Sequence, residues 1–237
     1  MTNDSDLRLA ATCIPVRETA DSLEVLMVRR SPQLSFGGMW TFPGGVLEDA
    51  DGQTPDPIDE DRQHWGAPGL LSAAANAAVR ETSEETSLSC NVSALAWFSH
   101  WIPPKVGPPK RFATWFFIAP EQHGDITLDT AENDEYRWVS PETALTLFAA
   151  GELPLAAPTW ITLDDLCAFD SVAMLLDNTI TQGARLHHTV AMPANDGQRM
   201  LLWEGDAAYA TGDVDAPGPR NRAIVDKSMQ IVTRMRS

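Results

Sequence analysis

The residues with the clearest chemical potential lie in the segment VRETSEETSL, residues 79–88, where one arginine and three glutamates occupy six positions. Because each residue of an α-helix turns the side chain by about 100°, Glu81, Glu84 and Glu85 would share one helix face. Arg80 precedes Glu84 by four residues, the spacing at which an ion pair forms on a helix. A divalent cation such as Mg²⁺ or Mn²⁺ would relieve the repulsion among three carboxylates, because these ions prefer oxygen ligands. The segment alone is equally compatible with a solvated, charge-rich helix face.

The flanking sequence predicts the elements that hold this segment. Residues 70–85, LLSAAANAAVRETSEE, form a predicted helix because alanine has the highest helix propensity. Its apolar positions approximate one buried stripe, made of Leu70, Ala74, Ala77 and Ala78. Upstream, residues 39–45, MWTFPGG, predict a short strand that ends in paired glycines. Residues 52–69 are rich in proline, glycine and acidic residues, which predicts an exposed insertion between this strand and the helix.

The rest of the chain alternates apolar runs with turn-forming residues. Five runs predict strands, at residues 7–16, 23–30, 95–102, 111–119 and 135–140. Residues 140–151 predict a helix with Ser140 as its N-cap, Pro141 in its first turn and Gly151 at its end. Helices are expected near 162–183, followed by the strands HHTVAMP and RMLLWEG. This mixture predicts an α+β fold or an α/β/α sandwich.

The overall composition restricts the classes of partner. The formal net charge is −16, so DNA, RNA and acidic membrane surfaces would be repelled. A small phosphorylated substrate is compatible with this charge if a cation mediates its binding. The cysteines Cys13, Cys90 and Cys167 are odd in number and far apart. They therefore suggest neither a zinc site nor a disulfide framework, and they fit a reducing compartment.

The same sequence predicts a protein without a membrane anchor. No apolar run reaches the roughly 20 residues that a membrane-spanning helix needs. The N-terminus MTNDSDLRLA is acidic and polar, which is unlike a signal peptide. A cytoplasmic location is therefore the expectation.

With the upstream glycines included, the charged segment resembles the box of the Nudix hydrolase family, G-x5-E-x7-R-E-U-x-E-E-x-G-U, in which U is aliphatic. The core of the motif is matched at four positions, Arg80, Glu81, Glu84 and Glu85. Gly45 opens the box and Leu88 closes it. Asp51 falls where the family has its first glutamate, but 28 residues separate Asp51 from Arg80 where the motif has 7. This insertion, with RRSP and FPGG ahead of it, is similar to the Nudix subgroup that includes an animal peroxisomal coenzyme A diphosphatase.

Three positions depart from the family pattern. Ser72 stands where an ungapped count back from Arg80 expects a glutamate, and Thr82 replaces an aliphatic residue. Ser87 replaces the glycine at which the chain usually leaves the helix. A positive φ at this position costs a residue other than glycine about 1–2 kcal/mol.

The resemblance implies a fold and a division of the chain. Residues 1–153 would form a Nudix-like α/β/α sandwich with a mixed sheet, interrupted by the inserted loop at 52–69. Residues 154–237 would be an extension of helices and strands that packs on this core. The extension would cover the sandwich, line one side of the substrate cleft or form the interface of a homodimer.

The resemblance also implies an activity, which is metal-dependent hydrolysis of the pyrophosphate bond in a nucleoside diphosphate linked to another group. Mg²⁺ or Mn²⁺ would be the cofactor and a small nucleotide the partner. Within the subgroup the substrate would be coenzyme A or an acyl-coenzyme A. The alternatives are hydrolysis of ADP-sugars or dinucleotides, and a non-catalytic Nudix-type module that binds a ligand.

The family motif implies specific roles for the residues of the box. Glu84, Glu85 and the Gly44 carbonyl would hold the metal ion. Glu81 would be either a further ligand or the catalytic base, and Arg80 would orient the carboxylates. A later acidic loop would contribute one more ligand, chosen from Glu132, Asp134 and Glu135. Among these three, Glu135 is the expected ligand.

Several residues outside the box are candidates for substrate binding. Arg29 and Arg30 end a strand, and only one of them can face the site because strand side chains alternate. Lys105 and Arg111, with Lys110, form a basic cluster that could bind a second phosphate, such as the 3′-phosphate of coenzyme A, or could be a solubilising loop. Strand tryptophans could stack a base but are more typical of a core; these are Trp40, Trp97, Trp101 and Trp115. His100 is expected to be a hydrogen-bonded strand histidine.

Overall fold

The structure is a computed structural model of the 237-residue chain. It describes residues 7–20, 22–34, 37–55, 58, 63–105, 110–227 and 229–237. The strands within these ranges are β1 (Leu7–Glu18), β2 (Leu23–Arg30), β3 (Trp40–Thr41), β4 (Gly44–Val46), β5 (Ser89–Cys90), β6 (Ala96–Ile102), β7 (Arg111–Ala119), β8 (Gln122–His123), β9 (Asn133–Val139), β10 (Arg185–His188), β11 (Val190–Pro193), β12 (Arg199–Leu202), β13 (Asn221–Val225) and β14 (Ile231–Arg236). The α-helices are α1 (Pro68–Thr86), α2 (Pro141–Ala149), α3 (Ala157–Leu166) and α4 (Val172–Gln182).

An eight-stranded mixed sheet forms the centre of the molecule. Its main path runs β10, β6, β7, β1, β2, β3, while β4 pairs with β1 and β9 pairs with β2. β1 is parallel to β7 and antiparallel to both β2 and β4. Nine of the 12 residues of β1 are buried, as expected of a strand covered on both faces.

The two faces of this sheet carry separate apolar clusters. On one face, Leu9 and Ala11 of β1 contact the alanines of α1, including Ala74 and Ala77. On the other face, Ile14 of β1 belongs to a cluster that includes residues of α2, α3 and β13. Helices therefore cover both faces of a mixed sheet, which confirms the predicted α+β sandwich.

Residues beyond 153 contribute directly to this architecture. β10 pairs in parallel with β6 and forms one edge of the central sheet. Strands β11 to β14 make a separate antiparallel sheet. Trp203, which follows β12, is 1% exposed and lies in the same apolar cluster as Ile14.

The helices agree with the sequence patterns except in the extension. The Ser140 hydroxyl accepts a hydrogen bond from the Thr143 amide at 3.2 Å, which confirms the predicted N-cap of α2. The predicted helical region at 162–183 forms two helices, and the first begins earlier, at Ala157. Pro158 fits the first turn of α3 because the first helical amides have no acceptor within the helix. No helix in the described ranges is long and apolar enough to cross a membrane.

His100 differs from the expectation of a hydrogen-bonded strand histidine. Its ring is fully buried between Trp65 and Trp115, with centroid distances of 4.6 and 4.3 Å. Neither imidazole nitrogen has a hydrogen-bond partner among the residues that the structure describes. Burial, together with the nearby His188 and His187, lowers the pKa of His100 to about 3. The expectation is therefore wrong, because aromatic stacking from the inserted segment replaces polar partners.

The buried neutral state of His100 predicts that stability depends on pH. In the unfolded chain an imidazole has a pKa of about 6.5, well above the folded value. As the pH falls below about 6.5, the unfolded chain therefore binds a proton that the folded chain does not. The free energy of unfolding should then decrease by up to about 1.4 kcal/mol per pH unit. Urea denaturation at several pH values between 7.5 and 5 should show a smaller slope for His100→Leu than for the wild type.

The exposed His123 supplies the control for this measurement. His123→Gln should keep the wild-type slope because its ring is exposed to solvent. His187, whose pKa burial lowers to about 4, contributes equally in all three proteins. Identical slopes for His100→Leu and the wild type would contradict the assignment.

Candidate active site

Helix α1 carries the acidic segment and lies against β1. It begins at Pro68 and ends at Thr86, slightly longer than the predicted 70–85. The predicted apolar stripe is confirmed, since its members are all buried: Leu70, Ala74, Ala77 and Ala78. Alanines on this face let the helix backbone approach the sheet closely. The polar face of the last turns of α1, which carries Glu81 and Glu84, therefore has a fixed orientation relative to β4.

The exit of α1 has the geometry that the family assigns to a glycine. Ser87 adopts φ 62° and ψ 5°, in the left-handed region. Its amide donates to the Ser83 carbonyl at 2.9 Å, and its hydroxyl donates to the Thr127 carbonyl at 3.1 Å. The structure thus keeps the glycine-type turn with a serine, at the expense of backbone strain.

Replacing this serine should stabilise the protein. Ser87→Gly removes the strain of a positive φ, about 1 kcal/mol, but also removes one exposed hydrogen bond. We expect a net increase of about 0.5 kcal/mol in the free energy of unfolding, measured by urea denaturation. Ser83→Gly, in the helical part of α1, should instead lower stability by about 0.5–1 kcal/mol. If both glycine variants changed stability in the same direction, the backbone explanation would be wrong.

Arg80 is the centre of a hydrogen-bond cluster in which each of its five N–H groups has an acceptor. The Nε and one Nη2 hydrogen bind both oxygens of Asp51 at 3.0 and 2.9 Å. Nη1 donates to Glu81 at 2.9 Å and to Glu84 at 3.0 Å, which confirms the predicted i,i+4 ion pair. The remaining Nη2 hydrogen goes to the Val46 carbonyl of β4 at 3.0 Å. One guanidinium therefore fixes two box glutamates relative to the glycine turn.

Asp51 joins the glycine turn to the helix across the insertion. Its side chain is 4% exposed and accepts from the Glu48 amide at 2.8 Å as well as from Arg80. Burial opposes ionisation of Asp51, but the hydrogen bonds from Arg80 and Glu48 lower its pKa overall. Ser72, the position reached by an ungapped count, is exposed on α1. Asp51, and not Ser72, is the residue that pairs with the box arginine.

Glu85 is a buried carboxylate at the end of this cluster. It is 2% exposed, and one of its oxygens accepts from the Gly44 amide at 3.2 Å. Burial raises its pKa to about 8, although the Gly44 amide and the nearby Arg30 act in the opposite direction. A neighbouring positive charge would therefore stabilise the ionised form of Glu85 strongly.

The two glycines of β4 allow the carboxylates to approach the backbone. A Cβ atom at Gly45 would meet the carboxylate of Glu81, and one at Gly44 would meet the backbone of Ala11 and Thr12. Glu81 is 14% exposed and burial raises its pKa, whereas Glu84 is 61% exposed. The three box glutamates thus differ in solvation although they share one helix face.

Arg29 and Arg30 of β2 have different charged neighbours, because the pairing of β2 with β9 is irregular between them. Arg29 pairs in register with Glu135, but the next residue, Arg30, pairs with Asn133, so Asp134 is an extra residue on β9. Such a bulge reverses the alternation of side chains along the strand. Arg29 consequently binds Asp134 at 2.6 Å and Glu135 at 3.0 Å. Arg30 lies on the other side, near Glu85.

Glu135 and Glu132 have different neighbours on the two sides of this bulge. Glu135, the expected ligand, pairs with Arg29 and Arg137, and the structure does not bring it to the box glutamates. Glu132 lies close enough to Glu81 and Glu85 to raise the pKa of both. The expectation for Glu135 does not take account of the extra residue at 134.

Two backbone hydrogen bonds attach this loop to the end of α1. The Asp129 amide donates to the Glu85 carbonyl at 3.0 Å and the Thr127 amide donates to the Thr86 carbonyl at 2.9 Å. On its other side, the Glu132 carbonyl accepts from the Ser31 amide at 2.8 Å. The loop therefore joins the end of β2 to the end of the helix that carries the acidic residues.

The basic cluster of Lys105, Lys110 and Arg111 is the candidate site for a second phosphate, and its arginine is hydrogen-bonded to the protein backbone. The Arg111 guanidinium donates to the carbonyls of Pro104 and Pro103 at 3.0 and 2.9 Å. Lys105 is exposed, and residues 106–109 lie outside the described residues. Arg111 thus stabilises the chain at Pro103 and Pro104, where the loop between β6 and β7 begins.

A pocket of about 390 Å³ lies on the Arg29 side of β2. Trp40, Asp134 and Glu152 are among its lining residues. Because Arg29 and Arg30 point to opposite faces of the strand, this pocket does not face the box glutamates. Trp40 itself is 1% exposed, and Trp101 and Trp115 are also buried, so these three tryptophans belong to the core.

The donor set of the box fits a hard divalent cation. All candidate ligands are oxygen atoms, and the buried Glu85 carboxylate has a raised pKa that a cation would lower. Arg80 binds one oxygen each of Glu81 and Glu84, which leaves the second oxygen of each outside the Arg80 cluster. In the described part of the chain, no three acidic, histidine or cysteine side chains already form a metal cage. Cation binding would therefore require the carboxylates to change their orientation.

The chain is similar to known proteins in both sequence and fold. Residues 6–163 match the family model of the NUDIX domain. The chain is 28% identical to nudix hydrolase 7 of Caenorhabditis elegans, in a match that covers 65% of this chain and 58% of that protein. It is also similar to the crystal structure of a NUDIX hydrolase from Alicyclobacillus acidocaldarius, with 27% identity, a TM-score of 0.58 and coverage of 73% of this chain and 96% of that one. Since the family model spans more than half of its length, the chain belongs to the Nudix family of hydrolases.

Proposed function

We propose that this protein hydrolyses the pyrophosphate bond of a nucleoside diphosphate linked to another group, with Mg²⁺ or Mn²⁺ as cofactor. The observation that carries this proposal is the Arg80 cluster. One guanidinium fixes Glu81 and Glu84 against the glycine turn, while Glu85 is buried against the Gly44 amide. A buried carboxylate whose pKa is raised by burial, beside a glycine turn and an arginine, is typical of functional sites.

The metal ion would be held by Glu84, Glu85 and the Gly44 carbonyl, and it would neutralise the diphosphate and make an attacking water more acidic. Arg80 would keep the carboxylates of Glu81 and Glu84 oriented toward the glycine turn. The raised pKa of Glu81 makes its second oxygen suitable for accepting the proton of the water. The water oxygen would bond to phosphorus as the bridging P–O bond breaks, which yields two phosphate monoesters. The alternative for Glu81 is a role as a further ligand.

Arg30 is the better candidate for contact with the substrate phosphates. It lies near Glu85, whereas Arg29 is engaged by Asp134 and Glu135 on the other side of the strand. We further propose that Glu132, and not Glu135, is the acid of the later loop that acts with the box. Its support is the electrostatic coupling of Glu132 to both Glu81 and Glu85.

The substrate is proposed at the level of its chemical class. Coenzyme A or an acyl-coenzyme A is favoured by the resemblance of the insertion and its flanking motifs. A dinucleotide or an ADP-sugar is the second candidate. It is favoured by the engagement of Arg111 with two carbonyl groups, which weakens the case for a second phosphate site there.

An isotope experiment tests the reaction directly. The full chain would be incubated in ¹⁸O-labelled water with Mg²⁺ or Mn²⁺ and one of three substrates, which are an acyl-coenzyme A, ADP-ribose and NADH. Mass spectrometry would identify the products and the position of the label. We expect two phosphate monoesters from at least one substrate, with one labelled oxygen in one of them. Reactions with a chelator in place of the metal should yield no product. Tight nucleotide binding without any turnover would contradict the proposal and favour a non-catalytic module.

A further inference from the structure

Asn133 is a buried polar side chain whose hydrogen bonds are missing. It is the first residue of β9, is fully buried and lies beside the Glu85 carboxylate. Neither its amide oxygen nor its amide nitrogen has a partner at normal hydrogen-bond geometry within the part of the chain that the structure describes, although the amide is close enough to Glu85 to favour the ionised carboxylate. Folded proteins rarely leave both atoms of a buried amide without a partner, because the amide has lost its hydrogen bonds to water.

The backbone, and not the side chain, determines where this amide lies. The Asn133 amide N–H donates to the Asp129 carbonyl at 2.9 Å, and the Asp129 amide in turn donates to the Glu85 carbonyl. Across the bulge, Asn133 pairs with Arg30. Loop and strand together therefore hold a polar side chain next to Glu85 without satisfying it.

An apolar side chain of the same branched shape would avoid the loss of hydrogen bonds to water at this position. Asparagine and leucine have the same branched skeleton of side-chain heavy atoms, and leucine, although larger, has no polar atom that needs a partner. Replacing an unsatisfied buried polar group by an apolar one is often neutral or stabilising. The presence of asparagine is therefore not explained by stability of the chain alone.

The neighbouring carboxylate supplies the missing explanation. In the described structure the Gly44 amide donates to the Glu85 carboxylate at a long 3.2 Å, and the Asn133 amide lies close by without normal hydrogen-bond geometry. A carboxylate that holds a metal ion with one oxygen is usually fixed by a hydrogen bond to the other. The nitrogen of the Asn133 amide is a donor of the right type, and it lies on the same side of β2 as Arg30 and Glu85.

We infer that Asn133 is a positioning residue for Glu85, and that its amide nitrogen donates to the Glu85 carboxylate when a divalent cation is bound. This inference rests on the proposed function, because it assigns Glu85 to cation binding. Asn133 itself contacts neither the cation nor the substrate. Its effect is to hold the carboxylate in the orientation that the cation requires.

The test is a titration of the full chain with Mn²⁺ alone, followed by the electron paramagnetic resonance signal of the free ion. We expect Asn133→Leu to weaken Mn²⁺ binding by about 10-fold or more, the usual effect of losing an outer hydrogen-bond partner. In the absence of metal, the thermal midpoint of Asn133→Leu should be equal to or higher than that of the wild type. A purely structural asparagine predicts the reverse, which is lower stability and unchanged affinity.

Thr162→Val is the matched control. Thr162 is 1% exposed in α3, and its hydroxyl also has no partner within the described residues. It belongs to a helix of the opposite apolar cluster, so its loss should leave Mn²⁺ affinity unchanged. If leucine prevents folding at 133, Asn133→Ala removes the same amide with a smaller side chain and should also weaken binding.

The outcomes separate this inference from the proposed function. Unchanged Mn²⁺ affinity in Asn133→Leu and Asn133→Ala, with normal hydrolysis by the wild type, would overturn the inference alone. Weakened Mn²⁺ binding in a protein that hydrolyses none of the substrates would support the inference and reject the reaction. Absence of Mn²⁺ binding by the wild type would overturn both.

Discussion

Glu84→Gln should lower kcat/KM for pyrophosphate hydrolysis by about 100- to 1000-fold. The substitution keeps the size of the side chain and removes one negative charge from the proposed cation site. A bound metal ion contributes several kcal/mol of charge stabilisation in the transition state, which corresponds to a rate effect of this order. Because Glu84 is 61% exposed, the free energy of unfolding should change by less than about 0.5 kcal/mol.

Steady-state kinetics with the best substrate of the panel would measure this effect. The control is Glu142→Gln, which removes another exposed carboxylate, from the first turn of α2. It should retain the wild-type kcat/KM. Full activity in Glu84→Gln would reject the role of the box in catalysis, whereas a loss shared by Glu142→Gln would indicate a nonspecific charge effect.

Asp206→Asn should destabilise the protein by about 3–5 kcal/mol, the usual effect of breaking a buried ion pair from one side. Asp206 and Arg222 are 0% and 4% exposed at their side chains and are 2.6 Å apart. The two carboxylate oxygens accept four hydrogen bonds, two from Arg222 and one each from the amides of Ala208 and Asn221. The NH₂ group of an asparagine would face N–H donors that now bind a carboxylate oxygen. The Arg222 charge would also lose its negative partner.

Urea denaturation followed by tryptophan fluorescence would measure the loss. The more exposed pair Arg17–Glu24 offers a control, since Glu24→Gln should change stability by less than about 1 kcal/mol. The effect of Asp206→Asn should also depend on pH. Although burial opposes ionisation, hydrogen bonds from Arg222 lower the pKa of Asp206 to about 2. Its contribution is therefore present above about pH 4, the unfolded value, and is lost as the pH falls toward 2.

A loss of stability in Asp206→Asn that was no larger than in Glu24→Gln would contradict the assignment. Trp203 immediately precedes this region and lies in the apolar cluster that includes Ile14 of β1. Unfolding of the extension should therefore be detected together with changes in the central sheet.

The chemistry of the box could be predicted from the sequence because it depends on local spacing. Arg80 and Glu84 are four residues apart in one helix, so their ion pair follows from helix geometry alone. The alanine stripe and the Ser140 cap are also local features, and both are present in the structure. Resemblance to a family motif added Gly44 and Asp51 at positions that no local pattern connects to the helix.

The three-dimensional arrangement around Glu85 could not be predicted in the same way. Whether Glu132 or Glu135 accompanies the box depends on one extra residue at Asp134, which reverses the faces of the strand. The sequence of one strand does not predict where a bulge forms, because a bulge depends on how that strand pairs with its partner. The missing partners of His100 and Asn133 are likewise consequences of segments that are distant in the sequence.

The sequence by itself determined that an acidic helix with one arginine follows a glycine turn, because residue types and helical periodicity are properties of a short segment. Only the tertiary structure decided that Asp51 reaches Arg80 across the insertion, that Glu85 is buried, and that Arg30 and Asn133 face it. These features require contacts between segments separated by tens of residues. The register of such contacts is set by packing of the whole sheet and not by any one of the segments.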